Sequence, residues 1–232
     1  MTRPRLALLN ASYDEANTSR NFRRELAADL AEFDVTNGEL PAGFDYEGVV
    51  VTGSKASVYW DEPWIEALLD WVGTAVEREL PHLGVCYGHQ VLAEALGGTV
   101  EAMDEYEIGY HEVHRVGEST VLGDLPEQFV VFTTHQDAVT ELPPGARPTA
   151  ENAYSNHGFE RDHVFTVQFH PEYDKRTAEL VTRGKDLEQG KLDAALDSIT
   201  DANYAAACEA KRLFDAFTRY VRELPVDRPR TA

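Results

Sequence analysis

The chain contains 232 residues, of which 43% are hydrophobic and 10% aromatic, and this content predicts one substantial core in a single domain. Its 41 acidic and 21 basic residues give a net charge of −20. Because so negative a protein repels phosphate backbones and anionic membrane surfaces, the composition argues against both as partners.

Features of membrane and secreted proteins are also missing from the sequence. No run of about 20 apolar residues is found, which argues against a transmembrane helix. The apolar stretch near the N-terminus stops at Asn10, too early for the core of a signal peptide. The two cysteines, Cys86 and Cys208, are too few for a disulfide framework in a cytosolic chain. We therefore expect a cytoplasmic protein.

Strands and helices alternate in the first hundred residues. The predicted elements are a strand at Arg5–Asn10, a helix through Phe22, Leu26 and Leu30, a strand at Tyr46–Val51, a helix from Pro63, a strand at Pro81–Cys86 and a helix at Val91–Leu96. Asn17 or Thr18 is the predicted cap of the first helix. This alternation favours an open, mostly parallel α/β sheet flanked by helices.

A different pattern follows between residues 99 and 170. Shorter strand-like runs occur at Ile108–Val116, Phe129–Thr134 and Val164–His170, and they predict an antiparallel extension and a return to the sheet. After Glu172 the chain has a helical pattern. We therefore expect one domain over residues 1–232, with a core at about 5–175 and a helical C-terminal extension at about 176–225.

The segment from Gly84 to Gln90 carries the strongest functional signal. It follows a predicted strand, precedes a helix and places glycines two residues before and two after Cys86. That spacing is typical of a tight turn that exposes a nucleophile at the carboxyl edge of a sheet, where open α/β folds bind ligands. A helix N-terminus favours a thiolate over a thiol, and the thiolate is the reactive form. The alternative is a buried structural cysteine in a glycine-rich turn.

Together with Phe169-His170-Pro171-Glu172 farther along the chain, this segment resembles the class I glutamine amidotransferases. Their signature is a glycine-flanked cysteine with a glutamine four residues on, and a His-Pro-Glu sequence downstream. The resemblance implies their flavodoxin-like fold and a catalytic triad: Cys86 as nucleophile, His170 as general acid and base, and Glu172 as the group that orients the imidazole. The resemblance covers about residues 45 to 175. It is close to the GMP-synthase-type branch of the family, notably in Gly-Val-Cys-Tyr-Gly.

The same resemblance implies further site residues. The backbone N–H groups of Gly53 and Tyr87 are expected to form the oxyanion hole. The Gly53 loop differs from the Gly-Gly-Pro of the family at Thr52 and Ser54. The residues expected to hold the substrate are Gln90, His135 and Asp137. Gln90 has the plain alternative of a helix residue facing solvent, and His135 that of a surface residue.

No metal site or cofactor is predicted. Histidines such as His157 and His163 have no nearby cysteine or carboxylate in a zinc-like pattern. A phosphate-binding glycine-rich loop with lysine is also missing, which argues against ATP binding.

Three hypotheses follow for the function. The first is a glutaminase that supplies ammonia to a synthase on a separate subunit. The second is a hydrolase of γ-glutamyl amides or peptides that acts alone, and the third is a catalytically silent regulatory protein with the same fold. High acid content with few lysines also resembles the proteins of halophilic archaea, and it predicts a salt-rich cytoplasm in which self-repulsion is screened.

Overall fold

The computed structural model describes residues 3–13 and 15–224. One sheet of nine strands forms its centre. The strands are β1 (Arg5–Asn10), β2 (Asp29–Asp34), β3 (Gly48–Val51), β4 (His82–Val85), β5 (Thr99–Arg115), β6 (Gln128–Glu141), β7 (Arg147–Glu151), β8 (Asn156–Arg161) and β9 (Val164–Val167). Their order across the sheet is β2-β1-β3-β4-β9-β8-β7-β5-β6.

The first five strands in this order pair in parallel. Residues of β1, β3, β4 and β9 are almost all buried, as expected for short apolar strands covered on both faces. The carboxyl ends of β1, β3, β4 and β9 therefore meet at one edge of the sheet, where the loops that follow them come together.

The antiparallel extension consists of β8, β7, β5 and β6. Its two long strands begin earlier or end later than the sequence runs at Ile108–Val116 and Phe129–Thr134 predict. Ladder pairing extends β5 through largely exposed residues, and it extends β6 through buried but polar residues such as His135 and Asp137. Neither set of residues gives a continuous hydrophobic signal in the sequence. The run at Val164–His170 returns to the sheet, because β9 pairs in parallel with β4.

The helices are α1 (Glu15–Glu25), α2 (Pro63–Glu77), α3 (Tyr87–Ala95), α4 (Lys175–Arg183), α5 (Gln189–Ser198), α6 (Asp201–Ala207) and α7 (Arg212–Glu223). The predicted cap of the first helix is wrong, because Asn17 and Thr18 lie inside α1. Leu30 is not in that helix either, since it belongs to β2. The predicted extension ends at residue 225, which lies outside the described residues. No helix in the described part of the chain is both long and apolar enough to span a membrane.

Helices cover both faces of the sheet, where the two larger hydrophobic clusters lie. A smaller third cluster includes residues of β5, β6, α4 and α5. On one face α7 packs beside α1, with Phe214 and Phe22 in edge-to-face contact at 6.1 Å between ring centroids. On the other face α2 and α3 pack together, with Trp64 against Tyr87. The last helix of the C-terminal extension thus shares its core with the first helix of the chain.

Candidate active site

Cys86 lies at the sharp turn between β4 and α3. Its backbone has φ 54° and ψ −104°, a conformation that residues with a side chain rarely adopt. A Cβ on Gly84 would lie 2.5 Å from the carbonyl oxygen of Gly88, and a Cβ on Gly88 would lie 2.2 Å from that of Val51. Because both contacts are with backbone, side-chain movement cannot relieve them. The glycine spacing therefore permits the close approach of β3, β4 and α3.

His170 and Glu172 follow β9, the strand next to β4. The Nδ1 atom of His170 lies 2.8 Å from Oε1 of Glu172, and both side chains are buried. A Cβ on Gly53 would lie 2.8 Å from Cε1 of His170 and 3.6 Å from Cβ of Cys86, so the imidazole and the cysteine flank the same glycine. Because Nδ1 of His170 is hydrogen-bonded to Glu172, Nε2 is the ring nitrogen that can interact with Sγ of Cys86.

The charge state of His170 depends on these two neighbours. Burial by itself disfavours the imidazolium, but the negative charges and hydrogen bonds of Cys86 and Glu172 together raise the pKa of His170 to about 10. A folded-state pKa above the ordinary value of 6.5 means that this cluster stabilises the fold fully below pH 6.5. The contribution is lost as the pH rises through about 10.

Helix α1 supports the segment that carries Glu172. Arg24 donates hydrogen bonds to the backbone carbonyl of Glu172 at 2.5 Å and to the carboxylate of Asp174 at 3.0 Å, and Arg20 reaches the same carboxylate at 3.2 Å. Burial raises the pKa of Asp174, but hydrogen bonds from Thr177 and the two arginines outweigh burial and lower it. Neither arginine was predicted from the sequence.

The loop after β3 uses the two residues that differ from the family pattern. Oγ1 of Thr52 accepts a hydrogen bond from the N–H of Ala11 at 3.0 Å, which ties the loop to the end of β1. Oγ of Ser54 accepts one from the N–H of Ala56 at 3.1 Å. These side chains therefore hold the loop by hydrogen bonds.

The two N–H groups predicted to form the oxyanion hole belong to Gly53 and to Tyr87, the first residue of α3. N–H groups in the first turn of a helix have no acceptor within the helix. Over residues 3–13 and 15–224, neither of these two groups donates a hydrogen bond to the protein itself. Both are thus available to bind an anion beside Cys86.

The three predicted substrate-binding residues form a connected group. The backbone carbonyl of Asp137 accepts a hydrogen bond from Nε2 of Gln90 at 3.1 Å and lies 3.0 Å from Nδ1 of His135. The carboxylate of Asp137 accepts hydrogen bonds from the hydroxyl groups of Ser57 and Tyr59. Gln90 and His135 are only 3% and 4% exposed, so neither the solvent-facing nor the surface alternative holds.

A buried cluster lies behind His135. Oε2 of Glu107 is 2.8 Å from Nε2 of His135 and 3.1 Å from Nε2 of His157, while Oε1 accepts a hydrogen bond from Asn152. The ligand-type atoms of Glu107, His135 and His157 lie within 4.8 Å of one another, so His157 does have a carboxylate partner that sequence spacing hid. The distances of 2.8 and 3.1 Å from Glu107 to the two histidines are hydrogen-bond lengths. The expected absence of a metal stays a prediction.

Glu107 is charged at neutral pH. Burial raises its pKa, but hydrogen bonds and positive charge from His135 and His157 outweigh burial and hold the pKa well below its usual range. A depressed pKa means that the carboxylate stabilises the fold above its ordinary pKa of 4.5, and that this contribution is lost as the pH falls toward the depressed value.

We expect Glu107→Gln to lower the free energy of unfolding by about 2 kcal/mol at pH 7, because hydrogen bonds to a neutral amide are weaker than those to a carboxylate. Urea unfolding measures the effect, and the difference from wild type is expected to shrink as the pH falls below about 4. The matched control is Glu101→Gln, an exposed residue of the same strand. If Glu101→Gln loses as much stability as Glu107→Gln, the stabilising role of the buried Glu107 carboxylate is contradicted.

A cleft of about 240 Å³ opens at Cys86. Its walls come from the loop after β3, from Gln90 of α3, from Tyr106 of β5, from residues 134–137 of β6 and from residues 185–187 of the C-terminal extension. His170 lines a second, smaller cavity together with Tyr110 and Tyr204. The cleft gives a small molecule access to the sulfur.

Comparison with known proteins identifies relatives over most of this site. The family described as "Glutamine amidotransferase class-I" matches residues 11–183. The GMP synthase (glutamine-hydrolysing) of Thermomicrobium roseum is 40% identical over 127 residues, covering 54% of this chain and 23% of that protein. The corresponding enzyme of Chromobacterium violaceum is 33% identical over 168 residues, covering 67% of this chain and 31% of that protein. The match thus spans less than a third of either relative.

Solved structures support the same fold. A glutamine amidotransferase from Thermotoga maritima superposes with a TM-score of 0.80 at 23% identity, covering 94% of this chain and 99% of that one. Another from Methylobacillus flagellatus gives 0.79 at 21% identity, covering 94% and 95%. These likenesses confirm the predicted α/β fold with its antiparallel extension and C-terminal helices. Because the family model matches more than half of this chain, the chain belongs to the class I glutamine amidotransferases.

Proposed function

We propose that this protein hydrolyses the side-chain amide of glutamine to glutamate and ammonia through Cys86, His170 and Glu172. One observation carries the proposal: a cysteine on a strained turn opens into a cleft and flanks the same glycine as a buried imidazole, whose other nitrogen lies 2.8 Å from a carboxylate. Nucleophile, acid–base group and orienting group are the parts that acyl transfer by a thiolate requires.

In the first half of the proposed reaction, the sulfur of Cys86 attacks the amide carbon of glutamine. The negative charge that develops on the amide oxygen is stabilised by the N–H groups of Gly53 and Tyr87. His170 then donates its Nε2 proton to the amide nitrogen. The carbon–nitrogen bond breaks, ammonia leaves and a γ-glutamyl thioester on Cys86 remains.

In the second half, water attacks the thioester carbon while His170 takes one of its protons. The carbon–sulfur bond breaks, the sulfur leaves as a thiolate beside the imidazolium, and glutamate is released. Glu172 holds the N–H of Nδ1 throughout, which fixes the ring orientation and stabilises its positive charge. Gln90, His135 and Asp137 shape the part of the cleft that takes the amino-acid end of the substrate.

The ammonia is proposed to pass to a synthase on a separate subunit. The support is the similarity of this chain to GMP synthases that hydrolyse glutamine. We further propose that residues 1–232 form a single domain and that the protein works in the cytoplasm, without nucleic acid, at high salt. The packing of α7 on the same core as α1 supports the single domain.

The test is ammonia release from glutamine by the purified protein, alone and with the candidate synthase that co-purifies with it at native salt. Slow release that the synthase accelerates supports the proposal. Faster turnover of γ-glutamyl peptides than of glutamine would favour a hydrolase that acts alone, and no release with either substrate would favour a regulatory protein.

We expect Glu172→Gln to reduce kcat by roughly 10²- to 10⁴-fold, because the amide neither fixes the tautomer nor stabilises the imidazolium of His170. The carboxylate raises the pKa of His170, so its loss is expected to move the alkaline fall of kcat/KM to lower pH. A pH–rate profile measures both effects. Glu179→Gln, an exposed residue of α4, is the control. An unchanged alkaline limb with near-normal kcat refutes the role.

A further inference from the structure

The lysines of this acidic chain fall into two groups. Lysine occurs five times in 232 residues. Lys175, Lys191 and Lys211 each form an ion pair with a carboxylate, at 2.7, 3.0 and 2.5 Å. Within the described part of the chain, Lys55 and Lys185 have no such partner, although the protein carries 41 acidic residues.

Both of these lysines line the cleft that holds Cys86. Lys55 follows the Gly53 loop, is exposed and lies over the ring of Tyr13. Lys185 follows α4, is half-buried and has its ammonium 5.2 Å from the ring centroid of Tyr106. Among the described residues, both lysines without a carboxylate partner thus lie at the cleft of a strongly negative protein.

A chain of contacts connects Lys185 with the sulfur. Sγ of Cys86 lies 3.9 Å from the carbonyl oxygen of Thr134, and Oγ1 of Thr134 is 3.1 Å from the hydroxyl of Tyr106. The ring of Tyr106 then lies beneath the ammonium of Lys185. Tyr106 therefore spans the cleft wall between the point where an amide is attacked and the unpaired positive charge.

The charges at this wall match an amino acid. A substrate amide placed at Cys86 has its α-carboxylate and α-ammonium at the far end of a short aliphatic chain. Lys185 offers a positive charge at that end, and Asp186, the next residue, adds a negative charge to the same wall. The ammonium of Lys185 is half-buried over an aromatic ring. A hydrogen bond from such an ammonium to an ionised carboxylate is stronger than one to a neutral group, particularly where the bound ligand excludes water.

We infer that Lys185, from the C-terminal extension, determines specificity by binding the α-carboxylate of the γ-glutamyl substrate. The inference rests on the proposed hydrolysis of a γ-glutamyl amide at Cys86. It also assigns the extension a task at the site: the segment after α4 supplies the charge that selects a free amino-acid end over a capped one.

The test compares Lys185→Gln with wild type on two substrates, glutamine and glutamine whose α-carboxylate is converted to an amide. We expect Lys185→Gln to raise KM for glutamine roughly tenfold or more, since a charge-assisted hydrogen bond is lost, and to leave kcat within about twofold. Wild type is expected to prefer glutamine over the α-amide, and the variant to lose that preference. Lys191→Gln removes the same charge from an ion-paired lysine outside the cleft, so its constants are expected to stay at wild-type values.

The outcomes separate the two proposals. If wild type releases ammonia from glutamine while Lys185→Gln keeps both the KM and the preference, the role of Lys185 is refuted and the proposed function stands. If wild type releases no ammonia from glutamine, the proposed function fails and this inference fails with it. A circular dichroism spectrum and an unfolding midpoint that match wild type establish that Lys185→Gln is folded.

Discussion

The Cys86→Ala variant is expected to release ammonia from glutamine at least about 10³-fold more slowly than wild type. The proposed reaction proceeds through a thioester on this sulfur, and the methyl group of alanine neither attacks the amide nor leaves from an acyl group. His170, Gly53 and Tyr87 remain in the variant, so the loss reports on the nucleophile. Ammonia release under saturating glutamine measures it.

Cys208→Ala is the matched control for this prediction. Cys208 is the second cysteine of the chain and follows α6, away from the residues that line the cleft. We expect it to retain wild-type activity. A glutamine analogue with an alkylating group is expected to add one equivalent of mass to wild type and to Cys208→Ala, and none to Cys86→Ala. Ammonia release by Cys86→Ala at near the wild-type rate would eliminate the thioester mechanism.

Gly88→Ala is expected to have the largest effect on folding. Alanine normally stabilises a helix relative to glycine, but here the new Cβ would lie 2.2 Å from the carbonyl oxygen and 2.8 Å from the carbonyl carbon of Val51. Backbone of β3 or α3 has to move, and overpacking of this kind costs about 3 kcal/mol. Because Gly53 lies two residues after Val51 and Cys86 two residues before Gly88, we also expect activity to fall roughly 10²-fold.

Urea unfolding and ammonia release, both at the same salt concentration, measure the two effects. Gly73→Ala is the control, since Gly73 also lies in a helix and a Cβ there meets nothing within 4 Å. That variant is expected to gain up to about 1 kcal/mol of stability and to keep its activity. The close packing of β3 against α3 is disproved if Gly88→Ala and Gly73→Ala change stability in the same direction.

Some elements were predictable because their signals are local. Pro63 begins α2 as expected, and the valines of β3 form a strand buried on both faces. The predicted start of α1 was wrong, because the helix begins at Glu15 and not after Asn17 or Thr18. Its distant contacts, a hydrogen bond from Asn21 to Thr177 and the packing of Phe22 on Phe214, are also not encoded in local sequence. The four-residue spacing also ran on into β2 at Leu30, because periodicity alone does not mark where a helix stops.

The charge, the turn around Cys86 and the order of cysteine, histidine and glutamate were available from the sequence alone. A tight turn restricts which residues can stand next to it. The two glycines that this turn requires, Gly84 and Gly88, therefore lie within five positions of the sequence. Only the tertiary structure decided which distant groups meet. Arg24 reaches Glu172 across 148 positions, Glu107 reaches His157 across 50, and Lys185 returns to the cleft. These contacts depend on the insertion of β9 beside β4 and on helix packing, and no local spacing encodes them.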